Sequence, residues 1–177
     1  MSLTLNKASQ PVALDLKAVS DDGLFHGYAS VFSQRDMGGD IVMPGAFAKS
    51  LQAYPASRVK LLWQHDQSEP IGVWASLTED ARGLKAEGRL ILDTARGREA
   101  HALMKAGALD GLSIGFRTVR DEMDRKSGSR LLHEVELREI SVVTFPMNAS
   151  ATVAAVKHSP TDFSLLARAI NDARATL

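Results

Sequence analysis

Apolar and polar positions alternate along much of this chain, so the elements it predicts first are strands. Val12 to Val19 alternates, and Asp21-Asp-Gly23 supplies the turn into Leu24 to Phe32, a run rich in aromatic and β-branched residues. A polar loop from Ser33 to Asp40 separates that run from Ile41-Val-Met43. Pro44 suits a first helical position, with Phe47, Leu51 and Tyr54 on one face of a short helix that Pro55 stops. From Arg58 to Asp66 the alternation places Val59, Leu61, Trp63 and His65 on one face of a strand.

The second half repeats the theme. Ile71 to Leu77 and Leu84 to Leu92 read as a hairpin closed around Glu79 to Gly83. Thr94 is placed to cap a helix whose apolar face is Ala100, Leu103 and Met104 and which ends at Gly107. Ser113 to Met123 and Arg130 to Phe145 form a longer hairpin around Asp124 to Ser129. Lys157 to Pro160 reads as a linker to a final helix from Asp162, with Phe163, Leu166 and Ile170 on one side. Strands predominate, with a few helices between them.

Composition narrows the chemistry. The 177 residues fit one domain, and 21 basic against 21 acidic side chains leave no net positive field for nucleic acid. With no cysteine, disulfides, thiolate zinc sites and a cysteine nucleophile are all excluded. No stretch approaches the ~20 apolar residues of a membrane span, and the expectation is a soluble, intracellular protein.

Three residues then stand out. Gly111-Leu-Ser-Ile-Gly115 fits the G-x-S-x-G pattern of an esterase elbow, but that elbow needs a strand before its serine and a helix after it. Here the helix comes first, so Ser113 is a strand-borne candidate nucleophile. Its bland alternative is a small residue chosen for close packing. Gly115, on the same face, leaves room for a substrate backbone. His65, at the end of its apolar row, is a candidate general base or simply a histidine at the core edge. Unbroken alternation puts Val135, Leu137, Glu139, Ser141, Val143 and Phe145 on one face of the last strand. A carboxylate there requires a partner, so Glu139 is either salt-bridged, turned outward by a bulge, or the acid that orients His65. His26 and His133 remain fallbacks for that third role, and no histidine spacing suggests a metal.

Five segments taken together resemble one family. Phe25-His-Gly-Tyr-Ala-Ser-Val-Phe32, Met43-Pro-Gly-Ala-Phe47, Leu61-Leu-Trp-Gln-His-Asp66, Gly111-Leu-Ser-Ile-Gly-Phe116 and Leu137-Arg-Glu-Ile-Ser-Val-Val-Thr-Phe-Pro146 occur in the order found in the prohead proteases of tailed bacteriophages. The resemblance implies a mainly β fold of the herpesvirus-protease type, a closed antiparallel β-barrel with helices around it. It makes residues 1–157 one protease domain and 158–177 a linker and helix serving as tail or docking element. It also implies a serine endopeptidase with Ser113 and His65 as the catalytic pair and an acidic third member, for which Glu139 matches best. Substrates would be capsid or scaffold proteins inside the immature shell in the host cytoplasm, with self-cleavage late in maturation. No cofactor, nucleic acid or membrane is expected, and a homodimer or higher oligomer is open. The competing reading is a non-catalytic assembly protein that binds capsid or scaffold on the same barrel.

Overall fold

The computed structural model describes residues 19–154, so the expected first strand, all but its last residue Val19, and the expected final helix lie outside the described residues. Within them the strands are β1 (Leu24–Val31), β2 (Asp40–Val42), β3 (Lys60–Trp63), β4 (Asp66–Glu79), β5 (Gly83–Leu90), β6 (Gly111–Asp124), β7 (Ser129–Val143) and β8 (Val153–Ala154). The helices are α1 (Ala48–Ala53) and α2 (Ala95–Lys105), with one 3-10 turn at Ala56–Arg58.

One mixed sheet runs β2-β7-β3-β4-β5-β1-β8, and β6 pairs with the other edge of β7. It curls into an open half-barrel rather than the expected closed one. Between β6 and the β8 segment there is a single bridge, Gly111 with Thr152, instead of a ladder. Nor is the sheet wholly antiparallel, because both β2 and β3 run parallel to β7. The curl lets one face bury a continuous core: Leu61, Ile71, Leu84, Leu112, Leu132 and Ile140 are fully enclosed. Burying each such side chain stabilises the fold by about 1.5–3 kcal/mol. Trp74 and Phe25 meet edge to face at 5.5 Å in the same core.

Local chemistry sets where elements begin and end. Thr94 caps α2, its hydroxyl accepting from Gly97 N–H at 3.0 Å. At the other end Gly107 adopts φ 71°, and Gly107 and Ala108 donate to Met104 O and Leu103 O. This is a Schellman termination, which needs the left-handed conformation that glycine adopts without strain. It turns the chain sharply into β6. By contrast, the helix expected from Pro44 starts only at Ala48, since the chain first turns through Gly45 at φ 85°.

Candidate active site

Alternation carried through Arg58 to Asp66 predicts a strand with His65 at its end, but the strand stops at Trp63. Trp63 pairs with Asp66, so Gln64 and His65 form a two-residue hairpin turn. Both have positive φ, 51° and 63°, the signature of a type I′ turn. Neither residue is glycine, so each position is strained by about 1 kcal/mol or more. Hydrogen bonds to the end of β7 hold the turn. Gln64 N–H donates to Val142 O at 3.0 Å, and the Gln64 amide engages Thr144 through both its oxygen and its nitrogen. His65 N–H donates to Ser141 Oγ at 3.0 Å.

Glu139 is also displaced from the expected row. Gly115 pairs with Glu139 and Phe116 with Leu137, leaving Arg138 as the extra residue of a bulge. The bulge exchanges the faces of β7. Val135 and Leu137 point into the core before it, and Ile140 and Val142 do so after it. Glu139 and Ser141 thereby turn to the other face, where the ladder sets them opposite Gly115 and Ser113.

That face holds the candidate site. His65 Nδ1 lies 2.5 Å from Glu139 Oε1, and Ser141 Oγ donates to Glu139 Oε2 at 2.8 Å. The Glu139 side chain is 14% exposed and that of His65 42%. Hydrogen bonding to Glu139 raises the His65 pKa above the usual histidine value, burial works against it, and the nearby carboxylate charge adds to the rise. The carboxylate lies across Gly115, where an added Cβ would sit only 2.2 Å from Oε1. The space over Gly115, expected to admit a substrate backbone, is therefore filled by Glu139.

Ser113 is 4% exposed and stands directly across from Ser141. Among the described residues no hydrogen bond joins its hydroxyl to His65. A cavity of about 140 Å³ opens beside it, lined among others by Ser30, Asp36, Ile114, Phe116 and Met147. The fallback histidines are elsewhere. His26 pairs with Glu87 across β1 and β5, and His133 Nε2 is 3.6 Å from Glu122. Thus the structure joins His65 to Glu139 directly and sets Ser113 in register with Ser141, the residue whose hydroxyl accepts from His65 N–H, without a hydrogen bond among the described residues from Ser113 to His65. Ser141 itself was missed by sequence reasoning, which counted it with the apolar row; its spacing from Glu139 was the available signal.

Chemically, Nδ1 of His65 is committed to the carboxylate, which fixes the ring and leaves Nε2 as the nitrogen able to accept a proton. A buried serine, a histidine in a fixed tautomer and a paired carboxylate on one sheet face are the parts needed for nucleophilic acyl transfer.

Comparison with known proteins bears on the family and the fold. The family model described as caudovirus prohead serine protease matches residues 12–164. The prohead protease of Enterobacteria phage HK97 is 40% identical over 137 residues, 76% of this chain, and the chain spans 60% of that relative's length. The prohead protease of Escherichia phage T5 is 31% identical over 153 residues, covering 81% of this chain and 71% of the relative. Among solved structures, the bacteriophage T4 capsid assembly protease superposes with a TM-score of 0.53 at 14% identity, covering 68% of this chain and 81% of that one. The KSHV protease, solved with a hexapeptide phosphonate inhibitor, gives 0.51 at 13% identity, covering 85% and 77%. At those identities the structural matches speak for the fold, whereas the sequence matches speak for kinship: this chain belongs to the caudovirus prohead serine protease family.

Proposed function

We propose that this chain is a serine endopeptidase that processes capsid and scaffold proteins during prohead maturation, itself included. The observation that carries the reading is the 2.5 Å His65–Glu139 pair, set on the same sheet face as Ser113 in a member of the prohead protease family. Ser113 Oγ attacks the scissile carbonyl while His65 Nε2 takes its proton, and the same imidazolium then protonates the departing amine to leave an acyl-enzyme. Water, activated by His65, hydrolyses the ester and restores the serine. Glu139 supports the imidazolium throughout. Backbone N–H groups around Gly111 and Gly115 are the proposed oxyanion donors; removing one such donor typically costs roughly 3–4 kcal/mol of barrier. The cavity beside Ser113 would receive a substrate side chain flanking the cleaved bond. Work of this kind takes place inside the procapsid in the host cytoplasm, and residues 158–177 would serve as a removable tail or docking element.

A non-catalytic role in capsid assembly is the second reading. It draws on one observation, the missing hydrogen bond from Ser113 to His65. Unliganded catalytic hydrogen bonds are often long and tighten only with substrate bound, so the protease reading is preferred. The test incubates the protein with its cognate scaffold and capsid proteins beside Ser113→Ala and His65→Ala. Wild type should cleave and both variants should lose at least about 10³-fold in rate. Cleavage that persists in both variants removes the proposed pair, and no cleavage by wild type favours the assembly role.

A further inference from the structure

The Ser141 hydroxyl makes two hydrogen bonds and both end on the proposed machinery. It accepts from His65 N–H at 3.0 Å and donates to Glu139 Oε2 at 2.8 Å. The side chain is fully buried, so no water competes for either bond. One hydroxyl thus ties the backbone of the base to the carboxylate that orients its ring, closing a loop of contacts through His65 Nδ1 and Glu139 Oε1.

We infer that Ser141 is a positioning residue, whose hydroxyl sets the His65 imidazole against Ser113 by holding the strained turn and the Glu139 carboxylate at one point. The inference rests on the protease reading. Glutamate has three rotatable side-chain bonds, and His65 sits in a turn whose backbone conformation an ordinary residue leaves readily. A 2.5 Å contact between two such groups survives only if each is held from behind. Ser141 holds both. Because it faces Ser113 across the β6–β7 ladder, it also references them to the nucleophile's own strand pair. Gln64 fastens the same turn to Val142 O and Thr144, but among the described residues it makes no hydrogen bond to the carboxylate. Gly115 has no side chain, and Lys60, paired in register with Glu139, is exposed.

The test uses an isosteric pair. Ser141→Thr and Ser141→Val introduce side chains of the same shape into the same buried space, but only threonine keeps the hydroxyl. Any packing defect is common to both, and their difference reads the hydroxyl alone. In the full chain Ser141→Val should lower kcat about 10²-fold relative to Ser141→Thr, the scale of a 1 Å misplacement of a catalytic group. KM for a capsid-derived peptide should differ by less than about twofold. In the Ser113→Ala background, where nothing turns over, NMR titration of the His65 ring should give a lower pKa for valine than for threonine. Equal kcat in the pair, or His65 titrating identically in both, overturns the inference. Failure of the protease reading shows itself separately, as wild type that cleaves nothing or Ser113→Ala that still cleaves.

Discussion

Strand β7 is bolted to a parallel neighbour at each end, and the two bolts differ in kind. Near its start Arg130 meets Asp40 of β2 through two hydrogen bonds, Nε to Oδ1 at 2.8 Å and Nη2 to Oδ2 at 2.6 Å. Near its end Glu139 meets His65, just beyond β3, through one bond, and its second oxygen is taken by Ser141. Both carboxylates are similarly shielded, at 15% and 14% exposure. The cation decides the difference. Pairing with Asp40 pushes the Arg130 pKa still higher, so the guanidinium keeps its charge at every pH at which the protein folds. Hydrogen bonding to Glu139 holds His65 above its ordinary value, yet an imidazole, unlike a guanidinium, can give up its proton, and among the described residues Nε2 has no hydrogen-bond partner. Two ion pairs of similar burial are thus a fastener and, on the proposed function, a proton-handling device.

Removing the carboxylate at the second end sharpens the contrast most. Glu139→Gln keeps the shape but loses the charge, and kcat should fall by about 10²- to 10⁴-fold. Its pH profile carries the sign. General-base catalysis needs neutral His65, so wild-type kcat/KM rises with pH through the raised His65 pKa. Without Glu139 that rising limb moves to lower pH while the plateau drops. A limb that stays in place means another group titrates. Stability runs the opposite way: a histidine whose folded pKa exceeds its unfolded value contributes fully below the unfolded value, ~6.5, and that contribution is lost as pH rises through the folded pKa. Denaturant titrations of wild type should show this decline and Glu139→Gln should flatten it.

Gly115→Ala comes next in size. Gly115 lies in ordinary extended backbone, so alanine is conformationally allowed, but its Cβ would meet Glu139 Oε1 at 2.2 Å. Glu139 Cδ and Cγ would lie at 2.8 Å as well, so the side chain must move from Cγ outward, which keeps the change within one side chain and swings the carboxylate off His65. Kcat should fall about 10²-fold with less than about 1 kcal/mol change in stability. The double variant with Glu139→Gln should be little worse than Glu139→Gln alone, because both changes remove one interaction. Additive losses would give Gly115 a separate function.

How much of this was readable beforehand depends on whether the signal lived in side chains or in backbone. The β6–β7 hairpin was, because alternation and the turn Asp124 to Ser129 are written in residue types. So was the capped helix between Thr94 and Gly107. A bulge was one of the alternatives for Glu139, but its place at Arg138 was not readable: an extra residue in one strand leaves no mark on composition, and counting in twos through it put Glu139 and Ser141 on the wrong face. The turn at Gln64–His65 was hidden for a related reason, since it lacks the glycine or asparagine that announces such turns. Parallel pairing of β2 and β3 with β7 joins distant segments, and alternation within each says nothing about the partner. His65, Ser113 and Glu139 were each named, but their spatial relation depends on these backbone events.

The smallest expected effect falls at the first bolt, and it tests whether the two ends are separable. Asp40→Asn leaves Arg130 charged against a neutral amide. Arg130 is 41% exposed, which lets water screen much of the loss. After that discount the change should destabilise by about 1–2 kcal/mol, near the upper end for partly exposed bidentate pairs. In thermal unfolding this is a drop of about 2–8 °C, largely unchanged between pH 6 and 9 because arginine does not titrate there. Below the transition, kcat and the position of the pH limb should match wild type. Asp40 also lines the cavity beside Ser113, so a changed KM with kcat intact would make the fastener part of the substrate surface. A changed kcat would instead mean that β7 transmits strain between its ends, and the division between fastener and proton device would fail.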